Sequence, residues 1–288
     1  MRYMVISDIH GNYAALEAAV MQIQDLHPNG ILFHGDYISD GPDPQRVLQT
    51  LRKISADYPC HFIRGNREEY FLKNRNSPDP SWQPCSHTGS LWYTAQHLSE
   101  SDLDWFAQMP ISCIIHSDTM PSFMICHGSP VSPYEGLLGS KNSPRREEVM
   151  NSIEQNLLLC GHTHRQEIYE IGNKRILFCP SLGLPIRRNG ILPAQHMIQL
   201  DGINGRWEHT FLTVSYDMEG YIHEMLESPW GSVSGVWSKG IAHTLRTQNN
   251  TIVDCLILAK HLAQADSFSE ATPIPDAYWE MAAEQLGI

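Results

Sequence analysis

The chain has 288 residues, 42% of them hydrophobic and 18% charged, which is enough apolar material for a sizeable core and excludes wholesale disorder; one domain with a terminal annex fits this length as well as two domains. Thirty-two acidic against 20 basic residues leave a net charge of −12, a surface that repels a polyanion unless a local cation inverts the field, so duplex nucleic acid is a poor partner. No run approaches the roughly 18 uncharged apolar residues of a membrane helix, and Met1 to Ser7 is too short and turns polar too soon for a signal peptide, which predicts a soluble cytoplasmic protein.

Tyr3 to Ile6 is a short apolar run ending in the polar loop Ser7 to Asn12, after which Ala14, Leu16, Ala18, Ala19 and Ile23 recur at helical spacing. The pattern of strand, loop and helix repeats at residues 30–33, 35–44 and 45–54, and again at 61–63, 64–66 and 68–73. Such alternation predicts crossover units and a largely parallel core sheet, with the site in the loops at the carboxyl ends of the strands. Residues 77–84, with three prolines, read as a loop, and 87–109 as two helices separated near Leu98 and Ser99; together they suggest a helical insertion over about residues 70–109. Strand signals return at 112–115, 123–126, 157–160, 176–178 and 196–200, with a helix at 147–155. Residues 205–214 and 221–226 read as antiparallel strands closing a domain over 1–229. Expected helices at 251–264 and 276–285 make residues 230–288 a mainly helical annex, to which the sequence assigns no chemistry.

Five predicted strand ends deliver polar residues that a fold has no structural reason to place there. Asp8 and His10 follow the first strand, two apart, a spacing that on an extended segment aims both side chains the same way. Asp36 follows the second strand, Asn66 the third, His127 the strand 123–126, and His162 and His164 the strand 157–160. The seven cysteines are odd in number and never spaced C-x-x-C, which argues against a disulfide framework and a thiolate zinc site. Seven oxygen and nitrogen candidates exceed the needs of one tetrahedral ion and suit two cations about 3.5–4 Å apart; the mix of imidazole, carboxylate and amide suits Mn, Fe or Zn.

The series D-I-H-G-N (8–12), G-D-Y-I-S-D-G-P-D-P (35–44), G-N-R-E (65–68), C-H-G-S-P (126–130) and C-G-H-T-H (160–164) resembles the calcineurin-like metallophosphoesterase superfamily, over about residues 1–200. The Pro180 to Pro185 segment adds a likeness to its small prokaryotic phosphodiesterase branch, including asymmetric diadenosine tetraphosphate hydrolases. The resemblance implies an α/β fold, a two-sheet sandwich flanked by helices. It also implies that Asp8, His10 and His164 bind a first ion, Asn66, His127 and His162 a second, and that Asp36 bridges them. The implied activity is attack of metal-bound hydroxide on a phosphodiester or phosphoanhydride of a small nucleotide, with a dinucleoside tetraphosphate as one specific form.

Many members of that superfamily place a histidine after the Gly-Asn pair, where Arg67 stands in this chain. Arginine cannot act as a general acid but can clamp a phosphate, which predicts a leaving group that departs with little need of a proton. Asp36, Asn66 and Arg67 are therefore the expected catalytic residues, with His34, His87 and His97 as possible stand-in acids. Asp40 and Asp43 read as turn residues beside Gly41 and Pro42, Asn12 as a helix cap, and Trp92, Tyr93, Trp105 and Phe106 as the core of the insertion. Arg187 and Arg188 border the expected site and are candidates for phosphate contact. The alternatives are a non-catalytic metal-binding scaffold of the same fold or a nuclease. The complete ligand set opposes the first, and the acidic charge the second. A protein phosphatase ranks last among the enzymes.

Overall fold

Alternation along each strand explains why the apolar runs are unbroken. In the computed structural model, which describes residues 1–139, 142–187, 196–266, 268 and 273–288, β1 (Arg2–Ile6) sends Tyr3 and Val5 to one buried face and Met4 and Ile6 to the other. β2 (Gly30–Phe33) opposes Leu32 to Ile31 and Phe33 in the same way. In β6 (Leu157–Cys160), Leu157 and Leu159 oppose Leu158 and Cys160. Each fully buried Leu, Ile or Phe contributes roughly 1.5–3 kcal/mol.

Two five-stranded sheets result. The first runs β10 (Arg206–Leu212), β9 (Met197–Ile203), β1, β2, β3 (Cys60–Phe62); the second runs β4 (Ser112–Ile115), β5 (Phe123–Cys126), β6, β8 (Lys174–Phe178), β7 (Glu167–Ile171). In the first, β1, β2 and β3 are parallel and β9 and β10 pair antiparallel on the β1 side; in the second, β5, β6 and β8 are parallel between antiparallel edges β4 and β7, so the largely parallel sheet expected from the sequence is two mixed sheets. Register sets Ile6 against Phe33 and Cys126 against Cys160, which brings the carboxyl ends of the parallel strands level within each sheet. Between the sheets lies a core of Tyr3, Val5, Leu32, Ile125, Leu159, Leu177 and Ile198, closed by Trp207, whose Nε1 donates to the carbonyl of Pro121.

Helices cover both outer faces. α1 (Tyr13–Leu26) and α2 (Pro44–Asp57) pack on the first sheet, capped by Asn12 and Asp43, whose side chains accept from Ala15 N and Arg46 N. α6 (Ser143–Ser152) covers the second sheet with Val149 and Met150. α3 (Asn66–Asn76) follows β3, and the expected pair of insertion helices is α4 (Gly89–His97) and α5 (Glu100–Gln108). They divide at Leu98 and Ser99, with Ser99 and Asp102 forming a capping box.

The C-terminal region is α7 (Met218–Glu227), α8 (Pro229–Ser234), α9 (Val236–Thr247), α10 (Thr251–Ala265) and α11 (Asp276–Leu286). The strand expected at 221–226 lies inside α7: Asp217 accepts from Gly220 N, and Tyr221, Ile222 and Met225 are buried at helical spacing. Trp230, Ile241, Ile252 and Trp279 join the same buried cluster as Met4, Ile6 and Leu48, so these helices share one core with the first sheet. β7 gave no sequence signal because it is a half-buried edge with Ile168 exposed. Among the described residues, no helix is long and apolar enough to cross a membrane.

Candidate metal centre

All seven candidates meet where the carboxyl ends of the two sheets converge. Asp8, His10, Asp36, His162 and His164 sit at positive φ, between 48° and 67°, so the expected extended arrangement of Asp8 and His10 is replaced by left-handed turns. Non-glycine residues in this conformation store strain that the surroundings must sustain, a frequent property of functional sites. Glycine makes room for it: a Cβ on Gly35, itself at φ 85°, would strike the backbone of Gly65, and one on Gly161 would strike Ser7 and Asp8.

Three imidazoles are fixed from behind. Nδ1 of His10 lies 2.9 Å from Asp40 Oδ2, Nδ1 of His127 lies 2.6 Å from the carbonyl of His34, and Nδ1 of His164 lies 3.0 Å from that of Leu184. Carboxylate and carbonyl oxygens only accept, so in the neutral ring Nδ1 carries the proton and Nε2 is left to present a lone pair to a cation at the centre. The Nε2 atoms of His10 and His164 face each other at 3.0 Å. Asp8 Oδ1 is buried without a hydrogen-bond donor, 3.4 Å from His164 Nε2 and 3.9 Å from the Nε2 atoms of His10 and His127. Asp36 Oδ2 lies 3.6 Å from His10 Nε2 and 3.4 Å from His127 Nε2, facing both sides. Asn66 Oδ1 is 3.1 Å from His127 Nε2 and 2.9 Å from His162 Nδ1.

Lone pairs opposed at this distance around an unpartnered buried carboxylate oxygen call for cations, and the donor set fits them. Asp8, His10 and His164 can hold one ion, and Asp8, Asp36 and His127 another. The same demand shows in the acid–base balance. Burial pulls His10 down, but Asp40, Asp8 and Asp36 outweigh it and hold the imidazole up at about 9. Burial is likewise outweighed at His127, where Asp36 and Asp8 raise it to about 10. Asp8 and Asp36 resist burial because the facing imidazoles keep them below the usual carboxylate range.

Two supporting residues carry more than the sequence suggested. Glu68 accepts from the backbone N–H of Gly65, Asp36 and Tyr37 at 2.8–2.9 Å, tying together the loops after β2 and β3; burial raises it to about 7. Its only prior sign was its place three residues after Gly65, in capping-box register. Asp40, expected to shape a turn, is a fully buried acceptor for His10 Nδ1, Ser39 Oγ, Ser90 Oγ, Trp237 Nε1 and Arg67 Nη2.

Arg67 lines the cavity in front of the cluster, its guanidinium 3.0 Å from Asp40. The stand-in acids do not reach it. His34 is buried behind His127, 3.5 Å from Cys179 Sγ and pushed by burial down to about 3. His87 accepts from Ile274 N against the Trp279 ring, and His97 is exposed beside Tyr93. Arg187 donates its backbone N–H to the Gln248 carbonyl, and Arg188 lies outside the described residues. The annex, expected to carry no chemistry, supplies Trp237, Ile241, Thr244, Asn250, Ile252 and Val253 to the cavity lining.

Residues 1–166 match the family model of the calcineurin-like phosphoesterases, and the chain belongs to that family. It is 28% identical over 214 residues to an uncharacterized protein of Methanocaldococcus jannaschii, a match covering 67% of this chain and 80% of that relative. A hypothetical protein of Pyrococcus horikoshii shares the fold with a TM-score of 0.64 at 19% identity, over 81% of this chain and 98% of the other. So does a metallophosphoesterase of Sphaerobacter thermophilus, with a TM-score of 0.63 at 21% identity, over 86% of this chain and 100% of the other.

Proposed function

We propose that the protein hydrolyses a phosphoester bond of a small phosphorylated substrate at two transition-metal ions, Mn, Fe or Zn. Asp8, His10 and His164 hold one ion, Asn66, His127 and His162 the other, and Asp36 stands between them. The observation that carries this reading is the outward tethering of His10, His127 and His164, which turns their Nε2 lone pairs onto Asp8 Oδ1 and Asp36 Oδ2. When bound, the ions supply Lewis-acid charge for the phosphoryl oxygens and acidify a water.

The chain's own residues do the rest. A cavity of about 200 Å³, lined by His10, Asp36, Asn66, His162 and His164, admits the phosphoryl group to the cluster. Glu68 holds the loops that carry Asp36 and Asn66 in one geometry, and Asp40 fixes the ring of His10. Arg67 offers charge and hydrogen bonds at the cavity wall but no transferable proton, so leaving groups of low basicity are favoured, such as aryl oxides and nucleoside phosphates. Nucleotide phosphodiesters and phosphoanhydrides, dinucleoside tetraphosphates among them, are the physiological classes to screen first.

Protein reconstituted with Mn, Fe or Zn should hydrolyse bis-p-nitrophenyl phosphate and lose that activity in chelator, with elemental analysis reporting two ions per chain. Absence of hydrolysis under every metal, or activity indifferent to chelation, overturns the assignment.

A further inference from the structure

The cavity has two unlike sides. One carries the imidazole and carboxylate cluster. The other is mainly apolar: Leu184 and Ile186 from the segment after β8, Trp237 and Ile241 from α9, and Ile252 and Val253 from the first turn of α10, with Thr244 and Asn250 as the uncharged polar residues among them. Packing fixes this second side. Gly240 lets α10 approach so closely that a Cβ there would collide with the Ile252 side chain, and Ile252 N donates to Thr244 Oγ1 at 3.3 Å. Gln248, left-handed at the end of α9, accepts from Arg187 N at 3.0 Å and so joins the helical turn to the segment bearing Leu184 and Ile186.

Charge separates the two sides further. Among the described residues lining the cavity, Arg67 is the one lysine or arginine, and its guanidinium is committed to Asp40 at 3.0 Å. Among the described residues, a second phosphate next to the reacting one would meet no lysine or arginine other than Arg67, one edge of which already faces Asp40. The volume, about 200 Å³, lies below the roughly 300–1,000 Å³ of sites that enclose drug-sized ligands.

We propose that α9 and α10 form the subsite for the group esterified to the phosphoryl, and that this subsite takes a compact, uncharged, apolar group the size of a phenyl ring. Of the classes named above, this favours phosphoesters with an aryl-sized leaving group over phosphoanhydrides and dinucleoside tetraphosphates, and any bulkier part of a substrate lies outside the cavity. The proposal rests on the phosphoesterase reading above and adds the substrate class.

Binding tests it without turnover. The metal-reconstituted full-length protein is titrated with methylphosphonate, phenylphosphonate, 1-naphthylphosphonate and phosphonoacetate, the last carrying a second anion. Phenylphosphonate should bind about tenfold more tightly than methylphosphonate, as burial of a phenyl group predicts. Naphthylphosphonate should lose most of that gain, and phosphonoacetate should bind no better than methylphosphonate. Ile252→Ala should raise the naphthyl-to-phenyl affinity ratio about fivefold. Val253→Phe, at an exposed position that folding tolerates, should lower the phenyl-to-methyl ratio about fivefold even where the buried alanine variant does not fold.

Phosphonoacetate binding most tightly, as the partly positive amino end of α10 would favour, overturns the proposal, and so do ratios unmoved in Val253→Phe. If methylphosphonate and phenylphosphonate both fail to bind protein shown to carry two ions, the phosphoesterase reading falls and this proposal with it. If they bind without discrimination, only the subsite falls.

Discussion

The strand-end loops and the annex helices meet in one cavity but reach it by different physical routes. The loops hold Asp8, His10, Asp36, His162 and His164 in left-handed backbone, and hydrogen bonds to Asp40, His34 and Leu184 aim the rings. The annex uses ordinary helices whose buried residues follow helical spacing, and it meets the cluster's support through indole donors, Trp237 Nε1 to Asp40 Oδ1 at 2.9 Å and Trp230 Nε1 to the Ser39 carbonyl at 3.2 Å. On the proposed reading, reactivity rests on short local motifs with strained geometry and the fit of the substrate on side-chain packing that can change without disturbing the ligands.

The comparison is sharpest at Asp36. Asp36→Asn removes a carboxylate that faces both halves of the cluster and should lower kcat/KM for bis-p-nitrophenyl phosphate about a thousandfold, measured on protein of known metal content. Retained activity would show that the loops do not hold the chemistry. Metal removal comes next: with free ion at about a hundred times Kd, the holoprotein should exceed the apoprotein in stability by about 2.7 kcal/mol, read as a fall in Tm when chelator is added.

Asp40→Asn should weaken metal binding or activity about 10- to 100-fold, the usual cost of losing an outer carboxylate that orients a ligand histidine. Trp237→Phe removes the annex donor to Asp40 and trims a ring that lines the cavity, and should cost a few-fold. Equal losses for the two variants would mean that the annex positions the ligands as well as enclosing the substrate.

The smallest effect concerns annex docking. His87 accepts from Ile274 N, and burial lowers its pKa below 6.5, so the neutral ring is favoured in the folded state. Its stabilising contribution is fully present above the unfolded value near 6.5 and is lost as pH falls through the lowered folded value. Chemical denaturation of the apoprotein between pH 7.5 and 5 should therefore show a shallower acid decline in His87→Gln than in the parent.

Much of this was legible in advance for definite reasons. Strands buried on both faces announce themselves as apolar runs, and Asp8, His10, Asp36, Asn66, His127, His162 and His164 stood out as polar residues at their ends beside glycines. What escaped was non-local. Asp40 looked like part of a Gly-Pro turn because its partners Arg67, Ser90 and Trp237 come from other elements. The 221–226 segment is too short to betray its period without the Asp217 cap, and nothing in the sequence of α9 and α10 says which cavity their apolar side faces. His34 looked available as an acid only until its burial behind His127 was seen.

The cluster straddles a seam: Asp8, His10, Asp36 and Asn66 hang from one sheet, and His127, His162 and His164 from the other. Ions bound across it clasp two layers that are otherwise joined by their greasy interior and connecting loops. Under the proposed ligand assignment, a full set of donors exists only once both layers have closed, so metal retained by the refolded chain would report that the two sheets have assembled.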